Sequence, residues 1–309
     1  MPDTAREQSA YSVGPDPQRG SGPSPVRPWR WAAAARFRTF LRPGLRLRLG
    51  NLLLSVVGLA IVLLLWQLAS HMVGRFLPPP LAVFDNMVSN LTGSRRLQGL
   101  GLPAGGYLPH LTYTVWNVMI GVGIGVSVGI TTGLASWRWR IVDEITDPII
   151  TIFGTLPILV AAPFFLIWFG LVAFAQISLV AFYAAVILHL YTLRATRNVD
   201  PRYRDYALTL GAGDRALFRR VILPAALPEV FGGIRIALAA AWGLAAIAEL
   251  LGAQFGVGRV IVSLTAVYDV ESIVAIVLLL SAFAVVLDLL LMAARAWATR
   301  WMPREERLT

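Results

Sequence analysis

The sequence predicts an all-α, polytopic membrane protein with six transmembrane helices and a short helix-turn-helix between the fourth and the fifth. Three observations carry this. Of the 309 residues, 57% are apolar and the mean hydropathy is +0.66, more apolar surface than a soluble domain of this length hides. Charged residues make up 14% of the chain and gather between long apolar runs. Those runs have the length of about 20 residues that a helix needs to cross a bilayer, without the alternation of a barrel strand.

In chain order, residues 1–30 are rich in Pro, Gly, Ser and charge and read as a disordered tail. Residues 31–50 place Arg36, Arg38, Arg42, Arg46 and Arg48 among apolar residues. They read equally as a surface helix against anionic lipid or as a solvated basic tail. The expected organisation is therefore a basic cytoplasmic tail over 1–50, a transmembrane domain over 51–300 and a second tail over 301–309. Spans are expected near 51–73, 111–136, 146–169, 174–193, 227–252 and 270–297. The first apolar run begins near Asn51, too late for a cleavable signal peptide, and reads as an uncleaved span.

Arginine sets the orientation. With both termini inside the cell, the inner segments hold 22 Arg and the outer loops four, Arg75, Arg95, Arg96 and Arg259. This asymmetry accounts for the net charge of +10 without nucleic acid as a partner and favours cytoplasmic termini. All 27 basic residues are Arg. A phosphate-binding P-loop needs a lysine to reach the β- and γ-phosphates, so this chain carries no standard nucleotide-hydrolysing site. The absence of Cys excludes disulfides and thiolate metal sites, and His71, His110 and His189 show no metal-ligand spacing. No nucleophile–base set or paired carboxylates mark a catalytic cleft.

The inner connection 194–226 is the most informative stretch. Asp200-Pro201 reads as an N-cap followed by proline at the first helical position. Gly211-Ala212-Gly213 breaks that helix, Asp214 is placed to cap a second one, and Pro224 is expected to end it. Leu217 with Val221, and Phe218 with Ile222, give the second helix an apolar stripe. Something must bury that stripe: the protein's own helix ends, the lipid surface or another subunit.

Here the residues resemble a known family. Asp205-Tyr206-Ala207-Leu208-Thr209-Leu210-Gly211, followed by Val221-Ile222-Leu223-Pro224, looks like the EAA loop of binding-protein-dependent ABC permeases. That loop reads Glu-Ala-Ala, three residues, Gly, nine residues, Ile, any residue, Leu-Pro. Ala207, Gly211, Leu223 and Pro224 match it, while Asp205 stands for Glu, Tyr206 for the first Ala and Val221 for Ile. Phe76–Pro80, Leu156-Pro157 with Pro163, Ile167–Gly170, Gly233–Leu238 and Ala248–Gly252 are similar to the nitrate/sulfonate/taurine branch, so that the likeness spans roughly 51–300.

The resemblance implies the permease subunit of an ABC importer in the bacterial inner membrane. The EAA loop, residues 200–224, would be the coupling element that docks into a groove on a cytoplasmic ATPase present in two copies. ATP and Mg would be used by that ATPase, with no cofactor bound by this chain. A homodimer would form the pathway, and an extracytoplasmic substrate-binding protein would deliver a small anion such as a sulfonate or nitrate, or alternatively a vitamin precursor. An ion-coupled secondary transporter is a rival of another class, but it should show internal repeats and midplane acids, and no convincing repeat is evident.

Gly121, Gly125, Gly129 and Gly133 form one face of the second span, where a neighbouring helix can approach closely; close packing is the expected role, with a sliding surface as the sharper one. Pro157 and Pro163 are expected to kink the third span. Ionisable groups within spans are costly and face partners or water. Arg235 and Asp288 lie at similar depth in spans five and six, which predicts an ion pair, the alternative being Arg235 snorkelling to lipid phosphate. Glu249, near the outer end of span five, is expected either at the outer mouth of the pathway or as a hydrated helix-end acid. His189 reads as interfacial.

Overall fold

The structure, a computed structural model, describes residues 43–302. The expected tails over 1–42 and 303–309 lie outside the described residues. Among the described residues every regular element is a helix.

The first helix, α1, spans Pro43–Val73 and so begins before Asn51, with residues 43–50 helical. Its apolar stretch is Leu53–Val73. The chain divides at Ala60 and Ile61 into two units; before that point the described residues are the start of α1, and the remaining elements belong to the second unit. A 3-10 turn at Gly74–Phe76 leads to α2 (Pro80–Ser89), which starts on a proline whose missing N–H costs nothing at a first helical position. The short α3 (Arg95–Gly99) is capped by Ser94, whose hydroxyl accepts from Leu97 N–H at 3.3 Å. Then follow α4 (Leu108–Arg138), α5 (Arg140–Thr155), α6 (Ile158–Phe169) and α7 (Ala173–Arg197).

The expected span over 146–169 is not one straight helix. α5 and α6 meet at an angle of 107°. Pro157 lacks the N–H that would continue α5 and forces Leu156 into an extended conformation (φ −66°, ψ 130°), which stops the helix there. Pro163, also expected to bend the span, sits inside α6 without breaking it. Among the described residues five helices are long and apolar enough to cross a membrane, and the bent pair makes six where it counts as one crossing.

α4, α7 and the later α10 (Leu223–Leu250) form the centre of the second unit. The four glycines of α4 lie directly on α7. A Cβ at Gly121 would stand 2.8 Å from Val180 Cβ, one at Gly129 2.6 Å from the Ala185 carbonyl oxygen, and one at Gly133 2.8 Å from Thr192 Cβ. Two helix backbones thus approach along a seam where any side chain would push them apart. Val118, Leu179, Leu238, Ala241, Leu244 and Ala245 fill the space where α10 closes over the seam. At one end of this bundle α2, α3, α11 (Val257–Thr265) and the start of α12 (Val270–Ala298) enclose a second core around Tyr107, Leu111, Val260, Leu264 and Ile276. The connection between α7 and α10 occupies the other end.

Candidate coupling loop and the charges of the following helix

The loop begins with α8 (Pro201–Thr209). The Asp200 carboxylate accepts from Arg202 N–H at 2.9 Å, and Pro201 occupies the first turn, as an N-cap followed by proline predicts. The C-terminus closes by two reciprocal bonds, Ala212 N–H to the Ala207 carbonyl (3.0 Å) and Gly211 N–H to the Leu208 carbonyl (2.9 Å). This pairing needs a residue in the left-handed region, and Gly211 supplies it at φ +79°. The chain then turns into α9 (Asp214–Leu217), with Gly213 rather than Asp214 at the cap position.

The second half of the loop differs from expectation at Pro224. No helix ends there: Phe218–Ile222 form a π-helical turn that runs directly into α10, and Pro224 lies in the first turn of α10. The Leu223 N–H bonds back to the Phe218 carbonyl, a five-residue step. A proline inside an ordinary helix collides with the carbonyl four residues earlier and leaves it unpaired; the wider turn in front of Pro224 lets the helix pass through. Loop and span are therefore one continuous rod from Asp214 to Leu250.

The apolar stripe of that rod is buried by the protein itself. Leu217 and Ile222 pack with Ala207 against Trp137, Val199 and Val221, and the Trp137 and Phe218 rings stack with centroids 5.3 Å apart. What remains exposed is the outer face of α8: Tyr203, Tyr206 and Leu210, at positions i, i+3 and i+7, are 62%, 68% and 70% accessible. Asp205 beside them is also exposed, Ala207 faces inward, and Val221, Leu223 and Pro224 are half-buried at the base.

Two charged residues of α10, Arg235 and Glu249, have opposite surroundings. Arg235 Nε donates to Asp288 Oδ1 at 2.7 Å and its Nη2 to Oδ2 at 2.8 Å, a two-pronged pair joining α10 to α12. Both side chains lie on the surface of the chain, 54% and 30% accessible.

Glu249 is neither at an open mouth nor hydrated. It is completely buried. The linear count misplaces it because the chain doubles back after α10, through Gly252 and Gly256, and lays the N-terminus of α11 over it. The Gly258 N–H donates to Glu249 Oε2 at 2.9 Å, and the Thr114 hydroxyl donates to Oε1 at 2.8 Å. Thr114 in turn accepts from Val257 N–H at 3.0 Å, and His110 Nδ1 accepts from Gly256 N–H at 3.2 Å. Glu249, Thr114 and His110 together thus accept from the N–H groups of Gly258, Val257 and Gly256 at the start of α11 and tie that helix to α4. A Cβ on Gly256 would collide with the carboxyl group, and Gly256 has φ +105°. Thr114, His110 and Gly256 are parts of this clasp that the sequence reading did not single out; the run of glycines directly after an apolar-span acid is the available signal. His189 likewise is buried, with Nδ1 3.0 Å from Thr132 Oγ1.

Known proteins agree with this architecture. Residues 121–303 match the family described as binding-protein-dependent transport system inner membrane component. The chain is 29% identical over 256 residues to the taurine transport system permease protein TauC of Escherichia coli (strain K12), covering 80% of this chain and 89% of that protein. It is 30% identical over 249 residues to the putative aliphatic sulfonates transport permease protein SsuC of the same organism (78% and 89%). It is 24% identical over 199 residues to the formylaminopyrimidine transport permease protein ThiX of Halalkalibacterium halodurans (64% and 75%). Among solved structures, an inward-facing conformation of the MetNI methionine ABC transporter superposes with a TM-score of 0.52 at 21% identity, covering 68% of this chain and all of that one. The family match takes in the coupling loop, the glycine seam and the Arg235 and Glu249 sites of α10. This chain belongs to the inner membrane components of binding-protein-dependent transport systems, the permease subunits of ABC importers.

Proposed function

We propose that this permease forms half of the translocation pathway for a small anionic solute of the sulfonate or nitrate kind, as one of two identical copies. A substrate-binding protein outside the cell delivers the solute, and two copies of a cytoplasmic ATPase, which use ATP and Mg, drive it. Both termini and the loop over 200–224 face the cytoplasm. The Arg asymmetry supports this orientation, with 22 Arg on the assigned inner side against four outside.

The observation that carries the reading is the build of the loop. α8 is locked at both ends and shows an aromatic and apolar face outward, Tyr203, Tyr206 and Leu210, whereas the other half of the loop buries its own stripe and continues into α10 without a joint. A face of this kind in water is a binding surface. A partner that grips α8 and moves it therefore turns α10 as a lever, with two loop positions standing for two pathway states. The Arg235–Asp288 pair supports the position of α10 and α12 along the pathway or the subunit contact. Two charges on a chain surface within apolar helices do not face hydrocarbon when a wet or protein-covered surface is available.

The solute class rests on the likeness to the taurine and sulfonate permeases. A heterocycle of the formylaminopyrimidine kind is the second reading, supported by the weaker likeness to ThiX. Uptake of radiolabelled taurine, an alkanesulfonate, nitrate and formylaminopyrimidine into vesicles holding the permease, its ATPase and its binding protein decides between them. Saturable, ATP-dependent uptake of one of the anions supports the proposal. Uptake of the heterocycle alone overturns the solute class, and uptake driven by an ion gradient without ATP overturns the importer.

A further inference from the structure

Between the end of α4 and the coupling loop lies an open groove of about 730 Å³. One wall is apolar and aromatic, formed by Trp137, Trp139 and Phe218. Arg138, Arg204 and Arg215 line the rest, with Asp214 the sole acid among the lining residues. The neighbouring arginines of this end are already paired: Arg140 Nε lies 2.7 Å from Glu144 Oε1, and an Arg197 guanidinium nitrogen lies 2.6 Å from Asp143 Oδ2. In the groove, Arg138 and Asp214 form a long ion pair at 4.0 Å, beyond a hydrogen bond. Among the described residues Arg204 and Arg215 form no ion pair. Three arginines thus line one space with a single, exposed acid, Asp214.

We propose that this groove binds the headgroup and glycerol region of an anionic phospholipid, which ties the end of α4 to α8 and α9. Four features select that ligand. The positive excess calls for an anion, and guanidinium forks match phosphate oxygens in pairs. The volume exceeds what inorganic phosphate occupies and is in the range of sites for larger ligands. The aromatic wall offers an apolar surface for the first methylenes of acyl chains. Trp137 and Trp139 mark the last turn of an apolar helix, the level at which tryptophan sits in the headgroup layer, so phospholipid is present at this depth at high local concentration. The inference depends on the groove lying at a membrane boundary, not on the solute or on the sidedness of the loop. Bridging Arg138 to Arg204 and Arg215, the lipid stiffens the contact between the rod and the seam helix.

The test is native mass spectrometry of the permease with its ATPase, released from vesicles of phosphatidylcholine mixed with phosphatidylglycerol. The expected result is retained phosphatidylglycerol, reduced about twenty-five-fold in the Arg204→Gln/Arg215→Gln double variant, from about fivefold per arginine. An Arg140→Gln/Arg220→Gln variant, which removes equal charge outside the groove, should retain it unchanged. Equal loss in both variants overturns the site, as does equal retention of phosphatidylcholine. Displacement by millimolar inorganic phosphate shows an anion site without lipid specificity. Loss of the ATPase from the groove variant with lipid retained assigns the groove to an acidic segment of the ATPase instead; both outcomes overturn the proposal. Should the double variant fail to assemble, phosphatidylglycerol with a photoreactive group near the acyl carbonyl is applied to the parent protein. Labelling of the peptide holding Trp137 and Trp139 supports the site, and labelling confined to other peptides overturns it.

Discussion

Helix α10 carries two acid contacts that read alike in the sequence and differ in the fold. Near its loop end, Arg235 meets Asp288 of α12 on the chain surface, cation to carboxylate, through two short hydrogen bonds. Near its other end, Glu249 is buried and held by neutral donors, one hydroxyl and one backbone N–H. The first pair joins two long helices at an open face and has solvent or a partner beside it. The second fills the space under the N-terminus of α11 and has nothing beside it but protein. A buried polar network depends on every member, because any group left unpaired there cannot turn to water; an exposed pair loses little when one partner goes. The depth of a charge along a span therefore says less about its role than the element that folds over it.

The largest effect that sharpens this contrast is expected at Glu249. Glu249→Ala strands the Gly258 N–H, leaves the Thr114 hydroxyl the His110 carbonyl as acceptor and opens a cavity, a loss of about 3 kcal/mol. Denaturant titration of the purified permease should show it, and α11 should lose hydrogen-exchange protection first. Glu249→Gln keeps the shape and one acceptor and should fall between Ala and the parent. Next comes Gly256→Ala, which keeps the acid but adds a methyl that collides with it at a backbone angle alanine adopts poorly, a loss of about 2 kcal/mol. Equal stability of Gly256→Ala and the parent would show that the clasp is loose.

At the exposed pair, Asp288→Asn should leave the unfolding midpoint close to that of the parent, well above that of Glu249→Ala, while lowering the rate of ATP-driven uptake. Exchanging the two residues, Arg235→Asp with Asp288→Arg, should recover part of that rate if the pair acts by holding α10 to α12. A midpoint as low as that of Glu249→Ala would place Asp288 in the same class as the clasp and remove the contrast.

These differences track what the sequence could and could not reveal. The coupling loop was legible because its determinants are local: an Asp-Pro start, a Gly-Ala-Gly break, and i,i+4 apolar pairs state their geometry within a few residues. The close α4–α7 seam was legible for the same reason, since four glycines one turn apart leave one face bare. The place of Glu249 was not, because it depends on Thr114 and His110, far away in the chain, and on the reversal after Gly252 that brings α11 back. Proline shows both outcomes. Pro157 breaks its span where Leu156 turns extended, but Pro224 opens α10 because a π-helical turn precedes it. Local sequence does not distinguish the two; the π-helical turn before Pro224 does.

The central claim, that the outer face of α8 receives the ATPase inside the cell, has a direct measurement. The chain contains no cysteine, so Tyr206→Cys and Leu210→Cys each introduce a single thiol. A membrane-impermeant maleimide should label both in inside-out vesicles and neither in right-side-out vesicles, and bound ATPase should slow labelling at least about tenfold, as expected for a thiol covered by a stable interface. Labelling in right-side-out vesicles, or equal labelling rates with and without the ATPase, would contradict the account.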